Sequence, residues 1–390
     1  MKKILWYGDF LCPTGFGMVN HNLVERLMKE YQITVLGINH HGDPYNYVNS
    51  PYYKFKDIPV YPARNGDDMF GRGKLLHMLD KGEYDALFIL QDLFNILPIK
   101  NELIELKKKK GFKIIFYFPI DGKPVEEWKE IINAVDMPVT YTDWGKEQLG
   151  MPKLKRIYHG VDKNFFPVDK MWRTDYREKV FGIKDDTFLI LNVNRNQPRK
   201  DLTRCIRTFD LFNKKVPKSF LYLHCNPNDP SGLNLNQYVL ENVPHLKDKI
   251  GFSSKSIALK ELNLIYNAAD VMVSTTLGEG WGLSTTEAMM CEVPVIIPDN
   301  TTGPELLGED RGYLVKSGNT SNQWINMMFD NCVSRPITDV YDLCDKIEYV
   351  YNHRSEAKKT ALNAKKWVSE NCDWDNLVEQ WMEVFKTQLK

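Results

Sequence analysis

The chain reads as an α/β protein of two Rossmann-like units, and three observations predict this. Its 390 residues exceed the size at which one hydrophobic core stops growing, so two domains are expected. Short apolar runs alternate with amphipathic segments, the pattern of a parallel sheet covered by helices. The alternation also restarts midway: Phe188–Val193 feeds a turn and a helix, as Ile4–Tyr7 does at the start.

In order, Ile4–Tyr7 is predicted as the first strand, Val19–Lys29 as the first helix and Gln32–Gly37 as the second strand. Ala86–Leu90, Lys113–Phe118 and Pro138–Thr142 complete the strands of the first half. A charged, proline-containing stretch leads to about Asp186. Phe188–Val193, Phe220–His224, Val271–Ser274 and Val293–Ile297 are the strands of the second half. In sheets of this kind ligands bind at the carboxyl ends of the strands.

The bulk composition excludes several classes. At 43% hydrophobic and 26% charged residues the chain is of ordinary globular type. Its net charge is zero, which gives no general attraction to nucleic acid or anionic membrane. No apolar run approaches the length of a spanning helix. Met1–Trp6 starts like a signal peptide, but Gly8-Asp9 interrupts it, and the run reads as a buried strand. Seven scattered cysteines without a Cys-x-x-Cys pair suggest reduced thiols and a cytoplasmic location.

The most informative segment is Glu279-Gly280-Trp281-Gly282-Leu283-Ser284-Thr285-Thr286-Glu287. It reads as a glycine-containing loop opening into a helix, with two carboxylates eight positions apart. Unpaired N–H groups at a helix start favour anions. Carboxylates beside such a site make sense for a ligand that also carries hydroxyl donors, as a nucleotide-sugar does. A second cluster, Asn194 to Lys200, follows the strand ending at Val193 and places Arg195, Arg199 and Lys200 on a strand-to-helix turn. Such cations suit a diphosphate; the alternative is a solvated basic loop. A third, Pro13-Thr14-Gly15-Phe16-Gly17, pairs glycines that allow close backbone approach, but Asn20 stands where a dinucleotide fingerprint needs glycine.

Together these segments resemble the glycosyltransferase family 4 type, with its Glu-x7-Glu signature and GT-B fold of two Rossmann-like domains facing across a cleft. Ala288–Val295, Ile157–Asp162, Thr302–Glu305, Gly312–Val315 and Cys372–Val378 resemble further family elements. The family often has glycine at the position of Glu292 and asparagine at that of His159. The resemblance implies an acceptor-side domain over 1–165, a nucleotide-sugar domain over 166–372, and a helix over 373–390 crossing back to the first domain. It implies retention of anomeric configuration, no metal, no cofactor, and a nucleoside-diphosphate sugar as co-substrate, uridine favoured over guanosine.

By the same resemblance, Arg195 and Lys200 form the diphosphate clamp through their Arg-x4-Lys spacing. Glu279 meets the transferred sugar, and Glu287 the ribose. Gly280, Trp281, Gly282, Leu283, Ser284 and Thr285 support phosphate and sugar. Gly15, Phe16 and Gly17 form a loop facing the diphosphate, and Ser253 lies in Gly251–Ser256, where the nucleobase is held. Family members carry a histidine near Asp121; Asp121 is the nearest polar candidate here, equally readable as a turn residue. Asp373 and Asp375 form an Asp-x-Asp better read as a helix cap than as a metal site. His21, His40, His41, His159 and His224 read as packing or surface residues.

The acceptor is open among glycan, lipid and hydroxymethylated DNA base. Gly37–Tyr45 resembles a subgroup of bacterial and phage genomes, where the location would be the host cytoplasm. Lys153–Lys218 holds seventeen Lys/Arg against eight Asp/Glu by count along the sequence, a local basic belt. Lys107–Lys110 read as a solvated helix end. Rival functions are a nucleotide-sugar epimerase on the same fold and a non-catalytic nucleotide-sugar-binding protein.

Overall fold

The computed structural model of the chain describes residues 1–253, 257–328, 330 and 332–390. Contacts divide it into two units. The first comprises Met1–Ile120, Pro124–Gly160 and Asp373–Lys390, the second Asp121–Lys123 and Val161–Cys372.

The first unit holds β1 (Lys3–Asp9), β2 (Gln32–Ile38), β3 (Val60–Pro62), β4 (Ala86–Leu90), β5 (Lys113–Phe118), β6 (Met137–Thr140) and β7 (Lys155–Arg156). They form one parallel sheet in the order β3-β2-β1-β4-β5-β6-β7. Every residue of β4 is buried, as expected of a central parallel strand covered on both faces. The first helix runs Gly15–Leu27, earlier than apolar periodicity alone suggests. Thr14 starts it: its hydroxyl accepts from the N–H of Gly17 at 3.0 Å, satisfying one of the free donors of the first turn.

The last helix, Trp374–Gln388, belongs to this unit. Asp373 caps it, its carboxylate accepting from the N–H groups of Asp375 and Asn376. Asp375 in turn accepts from Arg26 at 2.7 Å. The buried positions 374, 377, 381, 384 and 385 fall on one helical face. There Trp381 meets Phe88 and Tyr117 edge-on, and Phe385 stacks on Trp6 and Phe88. His159 is buried in this unit, its Nδ1 2.7 Å from the Tyr117 hydroxyl, and burial pulls its pKa down to about 3.

The second unit holds β8 (Phe188–Val193), β9 (Ser219–His224), β10 (Ile250–Phe252), β11 (Val271–Val273), β12 (Val295–Pro298) and β13 (Tyr313–Val315), parallel in the order β10-β9-β8-β11-β12-β13. The strand order reverses between β8 and β11, and a ligand crevice is expected outside the carboxyl ends of those two strands. A hairpin, β14 (Trp324–Asn326) with β15 (Ser334–Pro336), pairs antiparallel beyond this sheet.

Val293 and Pro294 precede the strand rather than opening it. Glu292 takes a left-handed φ of 58° and ends the helix Leu283–Met290. Its N–H bonds the Met289 carbonyl, and the Val293 N–H bonds the Ala288 carbonyl, the paired closure usually given to glycine. A glutamate is held there by ion pairs to Lys358 at 2.6 Å and Lys365 at 2.8 Å. The turn usually closed by glycine is therefore made with a glutamate whose carboxylate is held by two lysines.

Candidate functional site

The site is built where β8 and β11 end. After β8 the chain runs through Asn194–Gln197 into a tight turn at Pro198–Lys200, then the helix Leu202–Lys215. Asp201, at the junction, has a left-handed φ of 43°, and its carboxylate is held by Arg204 at 2.7 Å and Thr203 at 3.1 Å. The segment after β11 is sewn to this turn. Thr275 donates to the carbonyls of Lys200 and Asp201 at 3.1 and 2.9 Å, and the Leu277 N–H donates to the Arg199 carbonyl at 2.8 Å.

This stitching aims two cations at one carboxylate. Lys200 Nζ pairs with Glu279 Oε1, and Arg199 Nη1 lies 3.3 Å from Glu279 Oε2 while also donating to the Gly278 carbonyl. Burial pushes the Glu279 carboxyl up, but Lys200 and Arg199 outweigh it and hold it down at about 2. Burial pushes the Lys200 ammonium down against the pull of Glu279. We take the pair as ionised, because two cations face the carboxylate. The array continues: Arg199 Nε is 3.4 Å from Asp121 Oδ2, and Arg335 Nη2 is 3.2 Å from Asp121 Oδ1. Arg335 is buried on β15 and also grips Asp330 at 2.5 and 2.7 Å. Lysine, arginine and carboxylate thus alternate from Lys200 to Asp330.

The backbone on both sides of Glu279 is shaped by glycine. Gly278 has φ 155°, and a Cβ there would lie 2.1 Å from the Asp121 carbonyl oxygen. Gly282, at φ 103°, precedes the helix Leu283–Met290 and accepts from the N–H groups of Thr285 and Thr286. Gly280 and Trp281 are buried in this loop, Leu283 and Ser284 partly exposed at the helix start. Further along, Glu287 accepts from the Tyr266 hydroxyl at 2.6 Å. Burial raises its carboxyl to about 7, with the Tyr266 bond opposing and Asp162 adding to the rise. Two carboxylates of one segment are thus driven apart, one fully ionised at neutrality and one titrating there.

Several expected site residues lie elsewhere or in other roles. Arg195 is not gathered with Lys200. Its side chain, 59% exposed, holds Asp229 at 2.8 Å and Ser231 at 3.1 Å. The reason is Asn196, whose buried amide donates to the Pro227 and Leu233 carbonyls and pins this stretch to the 227–233 loop. The second cation on Glu279 is Arg199, visible in the basic turn but not singled out by spacing. Arg335 was missed altogether; it lies far along the chain, and no motif surrounds it. Gly15, Phe16 and Gly17 are not a loop but the first residues of a helix in the first unit. Gly17 is required by packing, since a Cβ would lie 2.4 Å from the Cys12 carbonyl oxygen. Ser253 follows β10 and donates its N–H to the Leu223 carbonyl at 3.3 Å; Ser254–Ser256 lie outside the described residues.

The basic belt is mostly neutralised. Lys155, Arg156, Arg173, Arg177, Lys179, Arg204, Lys214, Lys215 and Lys218 each meet an acidic partner. Lys107, Lys109 and Lys110 pair with Asp136, Asp80 and Glu83. These cations form no bare polyanion surface: in the belt the pairs are completed by Asp175, Asp185, Asp186, Asp201 and Asp210 of the same stretch and by Asp143, Asp270, Glu348 and Glu383 from elsewhere in the sequence. Among the described residues, no helix is long and apolar enough to cross a membrane.

Comparison with known proteins bears on the fold. Residues 174–326 match the family model of glycosyl transferases group 1. The fold matches HepE from Anabaena in complex with UDP-glucose at a TM-score of 0.75, with 14% identity over 99% of this chain and 100% of that one. It matches sucrose-phosphate synthase from Thermosynechococcus elongatus at 0.74, with 17% identity over 99% of both chains. The chain is therefore a GT-B protein, two parallel-sheet Rossmann-like domains. The residues matched by that family model lie in its second unit. In sequence it is 25% identical over 257 residues to the putative glycosyltransferase EpsD of Bacillus subtilis, covering 61% of this chain and spanning 59% of that relative's length.

Proposed function

We propose that the chain is a retaining glycosyltransferase that moves a sugar from a nucleoside-diphosphate sugar, uridine favoured, to an acceptor hydroxyl. The observation that carries this reading is the convergence of Lys200 and Arg199 on Glu279 at the strand-order reversal, with Glu287 one segment away. The UDP-glucose held by HepE supports a donor of this class.

In this reading Lys200 and Arg199 stabilise the charge that grows on the departing diphosphate, a preorganised electrostatic contribution. Arg195 joins them by exchanging Asp229 for a phosphate oxygen. Glu279 holds hydroxyls of the transferred sugar, and Glu287 accepts from the ribose hydroxyls. N–H groups of Gly280–Thr285 support the diphosphate and sugar, and Ser253 lies by the base. Asp121, clamped by Arg199 and Arg335, orients that cation pair from the sugar side. The bond from the anomeric carbon to the phosphate oxygen breaks and the bond to the acceptor oxygen forms on the same face. The acceptor proton passes to the leaving phosphate oxygen, so no separate base is needed. Protein cations replace a metal ion, and turnover is expected to survive EDTA.

Glycan, lipid and hydroxymethylated DNA base remain the acceptor classes. The neutralised belt gives no support to DNA in particular. The test is incubation with a panel of nucleoside-diphosphate sugars, alone and with each acceptor class, followed by mass spectrometry of nucleotide and adduct. A sugar adduct with retained configuration is expected. Interconversion of the donor sugar without transfer would establish the epimerase, and donor binding without turnover the binding protein.

A further inference from the structure

The loop that carries Glu279 is gripped from behind by the turn after β12. The Thr301 hydroxyl accepts from the Glu279 N–H at 2.9 Å and donates to Asn300 Oδ1 at 3.2 Å. The Asn300 amide donates to the Thr276 carbonyl at 3.2 Å and to Ser317 at 3.1 Å. The Thr302 hydroxyl donates to the Trp281 carbonyl at 3.0 Å. Three consecutive side chains therefore hold the loop before, at and after the carboxylate. A cavity beside them is walled by residues of both, Thr276, Glu279, Trp281, Asn300, Thr301 and Thr302 among others.

Thr301 makes its bond from a costly conformation. Its φ is 42°, in the left-handed region that a β-branched residue rarely enters. Such strain persists where the surroundings over-determine it. Glycine would relieve the strain but would leave the Glu279 N–H without its acceptor. The Thr301 hydroxyl gives its one proton to Asn300 and accepts from the Glu279 N–H, so both of these bonds tie the turn to the loop.

We infer that the Asn300-Thr301-Thr302 turn is a positioning clasp for Glu279, and that Thr301 sets where the carboxylate stands against the transferred sugar. The inference rests on the reading of Glu279 as the sugar contact. Thr301 acts through Glu279 and touches no reacting atom.

The test compares Thr301→Val, which keeps the shape and removes the hydroxyl, with Thr301→Ser, which keeps the hydroxyl. Two readouts are taken: amide hydrogen exchange of the segment 277–283, and steady-state kinetics with the nucleotide-sugar donor alongside nucleoside diphosphate binding. Thr301→Val is expected to speed exchange at Glu279 and to lower kcat by about 10- to 100-fold, the size expected of a displaced catalytic group. Diphosphate affinity should stay at the wild-type value, and Thr301→Ser should restore both readouts. Wild-type exchange and kcat in Thr301→Val overturn the clasp, as does failure of serine to rescue. If the wild-type protein turns over no donor, the glycosyl-transfer reading falls, and exchange at Glu279 alone decides whether the clasp exists.

Discussion

Replacing Lys200 by methionine separates its two consequences. Lys200 and Glu279 are both largely buried, with side chains 12% and 18% exposed. Breaking a buried pair by removing one partner costs about 3–5 kcal/mol. Here Arg199 remains 3.3 Å from the carboxylate, so the lower end, about 3 kcal/mol, applies. In a unit of this size that lowers the melting temperature by roughly 6–12 °C. Loss of one preorganised charge donor also lowers kcat by about 10²–10³. The double variant Lys200→Met/Glu279→Gln discharges both partners and should recover most of the melting temperature but none of the turnover. The assays are calorimetric melting and release of nucleoside diphosphate at saturating donor. Undiminished kcat in a folded Lys200→Met refutes the clamp. Recovery of kcat in the double variant reduces the lysine to a stabilising role.

Three further outcomes are expected. Glu287→Gln should weaken binding of the bare nucleoside diphosphate, while Glu279→Gln leaves it intact and lowers transfer; equal effects on calorimetric affinity would remove this division. Because the Glu287 carboxyl titrates at about 7, donor affinity should rise as pH increases through that value, and Glu287→Gln should flatten the profile. The linked stability has the opposite sense: a raised carboxyl pKa favours the folded state below the ordinary value of 4.5, and that contribution is lost as pH rises through about 7. Glu292→Ala should melt lower than Glu292→Gly. Both lose the Lys358 and Lys365 pairs, but alanine keeps the left-handed strain of about 1–2 kcal/mol that glycine escapes.

The strands were legible because their information is local. Ala86–Leu90, Lys113–Phe118 and Phe188–Val193 are apolar runs of strand length, and the structure places strands on those same residues. Short edge strands such as β3 and β7, and the β14–β15 hairpin, are not legible, because they hold too few apolar side chains to produce a pattern. The helix start at Gly15 was obscured because a threonine cap outweighed two glycines of poor helix propensity.

The sequence by itself determined the class of fold and the segment that carries both carboxylates. Alternation of apolar runs predicts a parallel sheet, and a Gly-Trp-Gly turn between two glutamates reads as a shaped loop opening into a helix. Which cations reach that loop was decided by tertiary structure alone. The family resemblance favoured Arg195 with Lys200, yet the anchoring of Asn196 sends Arg195 to Asp229 and leaves Arg199 on Glu279. The opposite titration of Glu279 and Glu287 is likewise tertiary. Identical side chains in one segment differ because one faces Lys200 and Arg199 and the other is buried against a tyrosine hydroxyl, and burial without a cation favours the neutral acid.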